Sequence, residues 1–292
     1  MSAETNGPIA VFGATGQQGG AVVDALVDQG AHVRALVRSL ESERARSLAD
    51  RGVKLVYADA DDPTSLAAAL EGAAAFFFMT VPPGGMGSGD VEGEVLQGKA
   101  LAQAAAAAGV PHIVFNSVGG AERESGVPHF ESKRRVEEYL KGLDTPVTIL
   151  RPVFFMDNFA SMGPKLDKGE LVLRLPLPDG IKLQMIAVRD IGTVAASALL
   201  GTTDVPGGAI EIAGDERTGT EIARAFGEHT GLSARYEALP IEALDEDADM
   251  QAMFRWFAET PAYQADLGQV RDIAPNALSL PAWLDATGYS AR

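Results

Sequence analysis

The chain has 292 residues, and its 40 acidic against 24 basic side chains leave a formal charge of −16. Hydrophobic residues make up 46% and charged ones 22%, which supports a full buried core and excludes a disordered chain. The acidic balance argues against direct nucleic-acid binding and against docking on anionic membranes, both of which need Lys and Arg, and the absence of cysteine excludes disulfides, thiolate metal sites and thiol nucleophiles.

The N-terminus lacks a basic region before its short apolar run, unlike a secretory signal. The first half then alternates strand-type and helix-type runs. Pro8 to Phe12 predicts a buried strand ending in a glycine-rich turn, and from Gly20 the residues Val22, Val23, Leu26 and Val27 fall at helical spacing, with Gly30 as a stop. His32 to Arg38 and Val53 to Ala58 predict the second and third strands. Asp62-Pro63 supplies an N-cap and a first-turn proline for a helix to about Leu70. Ala74 to Met79 is the fourth strand. The apolar stretch around it stops at Pro82-Pro83, far short of the roughly 20 residues a membrane-spanning helix needs. A long helix over Val91 to Ala108, a strand over Pro111 to Asn116, a helix over Glu131 to Lys141 and a strand over Val147 to Leu150 complete the series.

Repeated βα units with apolar strands predict an α/β fold, a doubly wound Rossmann parallel sheet covered on both faces. After Arg151 the rhythm breaks. Prolines 164, 176 and 178 and glycines 163, 169 and 180 mark loops, Ile181 to Val188 and Ala209 to Ala213 still read as strands, and the remainder predicts a smaller, mostly helical C-terminal domain. Met250, Met253, Phe254 and Phe257 recur at i, i+3, i+4 and i+7 and read as a core face, with a substrate-pocket wall as the alternative. The acidic run Asp245-Glu246-Asp247 with Asp249 reads as solvated surface.

Chemistry concentrates first in Gly13-Ala14-Thr15-Gly16-Gln17-Gln18-Gly19, after the first strand and at the opening of the first helix. One glycine permits the tight turn, one admits a pyrophosphate close to the backbone, and one lets helix and strand pack; the helix N-terminus supplies N–H donors. The spacing is the GxxGxxG of short-chain dehydrogenase-like folds, and its strand–turn–helix context predicts a dinucleotide site. The second strand ends on Arg38, 22 positions after Gly16, where an NAD-specific site carries a carboxylate. A guanidinium there suits a 2′-phosphate, so NADP(H) is preferred and NAD(H) is the alternative. A solvated strand-end arginine is the other reading.

Gly93 to Lys99 matches the letters of a phosphate-binding GxxxxGK loop but continues with Ala100 and lies within a helical pattern, so triphosphate hydrolysis is rejected. The four histidines form no metal-ligand pair on one helix face, and no GxSxG elbow exists. His129 and Lys133, four residues apart, occupy the spacing at which short-chain dehydrogenases carry Tyr-x-x-x-Lys. His129 reads either as a proton donor or as a loop residue before the helix, and Lys133 as the cofactor ligand. Ser117, at the end of the fifth strand, stands where such enzymes keep a polarising hydroxyl.

Taken together, GATGQQGG (13–20), LVRS (36–39), the Asp59-Ala60-Asp61-Asp62 segment, EGEVLQGKALA (92–102), HFESKRRVEEYL (129–140), RPVFFMDN (151–158), AVRDIG (187–192), MFRWF (253–257) and ALSLPAWL (277–284) resemble the NmrA-like family, an atypical short-chain dehydrogenase-like group, and within it the HSCARG-type NADPH sensors. The resemblance implies that Arg38 meets the 2′-phosphate, that Asp59 and Ala60 border the adenine, and that Thr80 and Val81 line the nicotinamide side. It places Lys99 and Lys133 close to the cofactor and makes Phe155 to Asn158 a loop closing over the nicotinamide. It also implies an NAD(P)-binding Rossmann domain over 6–154, to which strands near 181–188 and 209–213 return, and a discontinuous substrate or partner domain over 155–292.

The expected function is that of a cytoplasmic NADP(H)-binding redox sensor or regulator lacking the dehydrogenase tyrosine, with a protein partner. The alternative is an NAD(P)H-dependent reductase of a small electrophile such as a quinone or an enal. The charge of −16 disfavours a direct DNA role.

Overall fold

Residues 7–83, 90–203, 205–245, 247–259 and 261–290 are described by the computed structural model. The first apolar run forms β1 (Ile9–Phe12), and α1 (Gln17–Asp28) follows its glycine turn, starting three residues ahead of the expected Gly20. After β2 (Val33–Val37) comes α2 (Glu43–Asp50), a helix with no counterpart among the predicted elements. Only Ala45 and Leu48 of α2 are buried, so it carries no periodic apolar signal; its mark is Ser42, whose hydroxyl accepts the Ala45 N–H at 3.3 Å. β3 (Lys54–Tyr57), α3 (Pro63–Leu70), β4 (Ala75–Met79), α4 (Val91–Ala107) and β5 (Ile113–Asn116) follow the expected alternation. The GxxxxGK look-alike lies inside α4, away from any strand-to-helix turn. α5 (Pro128–Lys141) opens on a proline, which needs no N–H at that position, and therefore takes in His129. β6 (Val147–Pro152) ends this half.

The second half contains β7 (Phe154–Phe155), α6 (Phe159–Met162), β8 (Lys165–Asp167), β9 (Glu170–Leu175), β10 (Lys182–Ile186), α7 (Val188–Leu199), β11 (Ala209–Ile212), β12 (Asp215–Thr218), α8 (Gly219–Thr230), β13 (Ala234–Ala238), α9 (Ala248–Glu259), α10 (Leu267–Ile273) and α11 (Leu280–Thr287). Seven strands form one parallel sheet in the order β3-β2-β1-β4-β5-β6-β11. Alternation along β4 sends Phe76 and Phe78 to the face covered by α3, α4 and α5, and Phe77 to the face covered by α1 and α7. Each fully buried phenylalanine contributes about 1.5–3 kcal/mol, so both faces are anchored from this one strand.

Of the two later segments expected to return to the main domain, 209–213 joins its sheet as β11 beside β6. The segment 181–188 does not: β10 pairs with β7 and β12 in a separate three-stranded sheet. Lys182 and Gln184 explain this, since both pair with Glu216 (2.9 and 3.2 Å), and a strand with a polar face does not suit a sheet buried on both sides. The chain instead returns to the large sheet through α7, which packs on α1 with Gly192 against the backbone of Ala21. A third sheet, β13-β9-β8, and helices α8, α9 and α11 enclose the second core, where Met253, Phe254 and Phe257 of the predicted stripe are buried.

Candidate functional site

The strand order reverses between β1 and β4, and in open parallel sheets this switch point opens a crevice at the carboxyl ends of the strands. Gly13 leaves β1 with φ at +71°, a conformation that favours glycine, and its carbonyl accepts the Gly16 N–H at 2.8 Å. The loop then passes so close beneath α1 that a Cβ on Gly19 would lie 2.3 Å from Gly13 O. No acidic side chain occupies the first turn of α1, so its positive end faces the crevice uncompensated. Two contacts outside the motif brace the loop. Arg44 Nη1 on α2 donates to Thr15 O at 3.0 Å, and Asn116 Nδ2 at the end of β5 donates to Gln18 Oε1.

Because β2 runs parallel beside β1, with Phe12 opposite Leu36, Arg38 emerges beside the glycine loop. It is exposed and makes no hydrogen bond or ion pair among the described residues. Glu41, the nearest following carboxylate, is paired with Arg46 at 3.1 Å instead. On the other side of β2, the end of β3 leads to Asp59 and the buried Ala60, held by Ser65 Oγ, which accepts the Asp59 N–H at 3.0 Å.

At the end of β4, Thr80 is buried and Val81 exposed, with the Val81 N–H 3.4 Å from Gln97 Oε1. Lys133 reaches this point from α5: its Nζ donates to Thr80 O at 2.9 Å and to Glu94 Oε1 at 2.5 Å. The spacing-based expectation therefore puts Lys133 at the same edge as the glycine loop and Thr80. Glu94 was not singled out in the sequence; only its place next to Gly93 in α4, facing a lysine 39 residues later, makes it visible.

The remaining expected residues lie at the end of β5, on α4 and α5, and in the segment after β6. His129 is buried, with Nδ1 2.6 Å from Asp249 Oδ2 and its own N–H donating to Asp249 Oδ1 at 3.0 Å. Asp249 is thus not part of a solvated acidic run: it binds the start of α5, and burial, which pushes its carboxyl up, is outweighed by the hydrogen bonds and charge of His129, which hold it low. Glu246 of that run lies outside the described residues. Ser117 is buried and donates to Glu137 Oε1 at 2.6 Å, where Arg151 also binds Glu137 through Nε (3.0 Å) and Nη2 (2.7 Å). Lys99 lies over the ring of Tyr139, 5.6 Å from its centroid. Phe155 and Asn158 follow β6 through β7 and a 3-10 turn, and this segment is tied down by Asp157 Oδ2, which accepts the Val188 N–H at 2.8 Å.

A parallel sheet with a glycine loop at its switch point, flanked by a strand-end cation and a buried lysine, defines a Rossmann-type dinucleotide-binding protein. The model of the NmrA-like family matches residues 5–289, and the chain belongs to that family. It is 29% identical over 317 residues to the NmrA-like family domain-containing oxidoreductase FrzB of Cladobotryum sp, covering 94% of this chain and 93% of that one. It is 32% identical over 239 residues to the NAD(P)H azoreductase of Xenophilus azovorans, covering 80% and 78%. Among solved structures, the NADPH-dependent quinone oxidoreductase QOR2 of Escherichia coli, complexed with NADPH, superposes with a TM-score of 0.81 at 25% identity over 96% of this chain and 100% of that one. Among the described residues no helix is long and apolar enough to cross a membrane.

Proposed function

We propose that this chain is an NADP(H)-dependent reductase that passes hydride to a small electron-poor acceptor, such as a quinone. The observation that carries the cofactor half is Arg38, an exposed strand-end guanidinium without a partner among the described residues, beside a glycine loop shaped for a pyrophosphate. In this reading the N–H groups of Gly13 to Gly19 (with Thr15, Gly16, Gln17 and Gln18) hold the pyrophosphate and Arg38 the 2′-phosphate. Asp59 and Ala60 border the adenine, Thr80, Val81 and Lys133 the nicotinamide ribose, and Phe155 to Asn158 cover the ring. The bound nicotinamide supplies the hydride.

The acceptor half rests on how the two proton-donor candidates of the sequence are engaged among the described residues. Among the described residues Ser117 donates to Glu137 and His129 lies against Asp249, so both candidate donors are engaged with other partners. Acceptors whose reduced form is a stabilised anion need no such donor, because solvent protonates them after hydride arrives. The names of the family relatives, two oxidoreductases and one of them an azoreductase, support the same class.

A second reading, a cofactor-responsive regulator, is favoured by one contact. The His129–Asp249 pair joins the first turn of α5, one turn ahead of Lys133, to α9 of the second core. A partner that binds one arrangement of α9 better than another would then sense occupancy at Lys133. Oxidation of NADPH against a panel of quinones, azo dyes and enals separates the two. Turnover lost in Lys133→Ala supports the reductase; tight NADPH binding without turnover on any acceptor supports the regulator and refutes the reductase.

A further inference from the structure

The cofactor reading gives the buried carboxylate beside Lys133 no role. Glu94 is 0% exposed, and a carboxylate occupies such a place only when its charge and lone pairs are matched. Its Oε1 accepts from Lys133 Nζ at 2.5 Å and from Thr80 Oγ1 at 2.8 Å, and its Oε2 accepts from Ser132 Oγ. Gly98 makes this cluster sterically accessible. A Cβ there would lie 2.5 Å from Val136 Cγ2, so α4 and α5 approach at a separation that only glycine permits, and Glu94, one turn earlier, meets Ser132 and Lys133. Burial pushes the Glu94 carboxyl up, but the Lys133 charge and the hydrogen bonds from Lys133, Ser132 and Thr80 outweigh it and hold the group ionised at neutral pH.

We propose that Glu94 is the positioning residue of Lys133, fixing and charge-balancing its ammonium so that Lys133 meets the cofactor as an oriented hydrogen-bond donor rather than as a free cation. Of the three N–H groups on Nζ, one is directed to Thr80 O and one to Glu94. The third, with only the longer 3.3 Å approach to Thr80 Oγ1, is left for a ribose hydroxyl. The pairing distinguishes this site from one in which a lysine's charge activates a neighbouring proton donor. The role toward the cofactor rests on the reading of Lys133 as a ribose ligand; the pairing itself does not.

The experiment has two arms, both on Glu94→Gln, which keeps the shape and an acceptor oxygen for Lys133 and Thr80, removes the charge, and turns the acceptor facing Ser132 into an N–H donor to its Oγ. In the first, ligand-free protein is reductively methylated with formaldehyde and borohydride at pH 8, and modification of Lys133 is followed by mass spectrometry. An ammonium buried without a counter-charge gives up its proton more readily, so Lys133 should react about tenfold faster in the variant while the exposed Lys54 reacts as before. In the second, NADPH dissociation constants are measured by fluorescence from pH 6.5 to 9. The wild type should be flat, and Glu94→Gln should weaken by about tenfold toward pH 9 as its lysine loses charge.

Unchanged methylation of Lys133 overturns the pairing. Faster methylation with a flat NADPH profile overturns the link to the cofactor. A wild type that binds no NADPH refutes the cofactor reading, while the first arm still judges the pair. If Glu94→Gln does not fold, the double variant with Lys133→Met is measured: recovery of cooperative unfolding supports the pair, and no recovery overturns it.

Discussion

Gly19 and Gly20 are adjacent in α1 yet face different surroundings, and Gly19→Ala tests the reasoning about the loop. The new Cβ would sit 2.3 Å from Gly13 O, 2.6 Å from Gly13 C and 3.0 Å from Ala14 N, all backbone atoms that cannot swing aside. Relief requires α1 and the loop to separate by about 1 Å, and overpacking of this kind costs ~1–3 kcal/mol. Better helix propensity returns ~0.5–1 kcal/mol. The net loss of ~1–2 kcal/mol corresponds to a fall in Tm of roughly 2–3 °C for a chain of this length. The same separation withdraws N–H donors from the pyrophosphate, and loss of one hydrogen bond to a charged group weakens NADPH by about 10- to 100-fold. In Gly20→Ala the nearest atom, Ala14 O, is 3.5 Å away, an ordinary contact. That variant should gain up to ~1 kcal/mol and keep its NADPH affinity. Scanning calorimetry and a fluorescence titration read both quantities. If the two variants behave alike, or Gly19→Ala matches wild type in Tm and affinity, the close-approach argument is wrong.

Three further outcomes are expected. Arg38→Ala should weaken NADPH by about 10- to 100-fold and NADH by less than about threefold; equal losses would show that Arg38 does not read the 2′-phosphate. Asp190 is buried, and burial pushes its carboxyl above the ordinary value of 3.8 against the opposing pull of the Leu278 N–H (2.7 Å) and Arg189. A pKa raised on folding imposes a cost that is absent below the unfolded value and grows as pH rises through the folded one. Asp190→Asn, which keeps an acceptor for Leu278, should therefore raise Tm more at pH 8 than at pH 4, and the opposite order would contradict the assignment. Asp249→Ala should cost ~1–2 kcal/mol in denaturant unfolding at pH 7, because it removes both the cap on the His129 N–H and the partner of the ring. Asp249→Asn should cost less. Since the Asp249 carboxyl is held low, the contribution exists above about pH 4 and fades as pH falls through the folded value, so the difference between wild type and Asp249→Ala should shrink on acidification.

The parts of the site that were legible in the sequence are those whose logic is local. The turn, the close approach and the helix start lie within Gly13 to Gly19, and Arg38 is read from its place at a strand end. Lys133 is read from a spacing, and the structure brings it to Thr80. What the sequence hid is pairing across distance: Arg44 reaches a carbonyl 29 residues away, Lys133 a carboxylate 39 residues away, and His129 a carboxylate 120 residues away. Nothing local marks Asp249 as different from Asp247. The same holds for the fold. Strands buried on both faces announce themselves, as Phe76 to Phe78 do, whereas β12 (Asp-Glu-Arg-Thr) has no apolar residue and α2 only two buried ones, so neither produces a periodic signal. The strand at 182–186 was visible, but its polar alternation, which assigns it to a different sheet, shows only against Glu216.

The place of β11 and α7 bears on how the chain can fold as it is made. β6 gains its outer neighbour, and α1 its covering helix, from residues that leave the ribosome only after the whole of 153–187 has been synthesised. Until then Val22, Val23 and Leu26 of α1 lack part of their cover, and β6 presents an open edge able to pair with another chain. The half that carries the glycine loop thus completes its sheet only with residues 188–212, and a fragment ending at Pro152 should aggregate, whereas one extended through Ile212 closes the sheet.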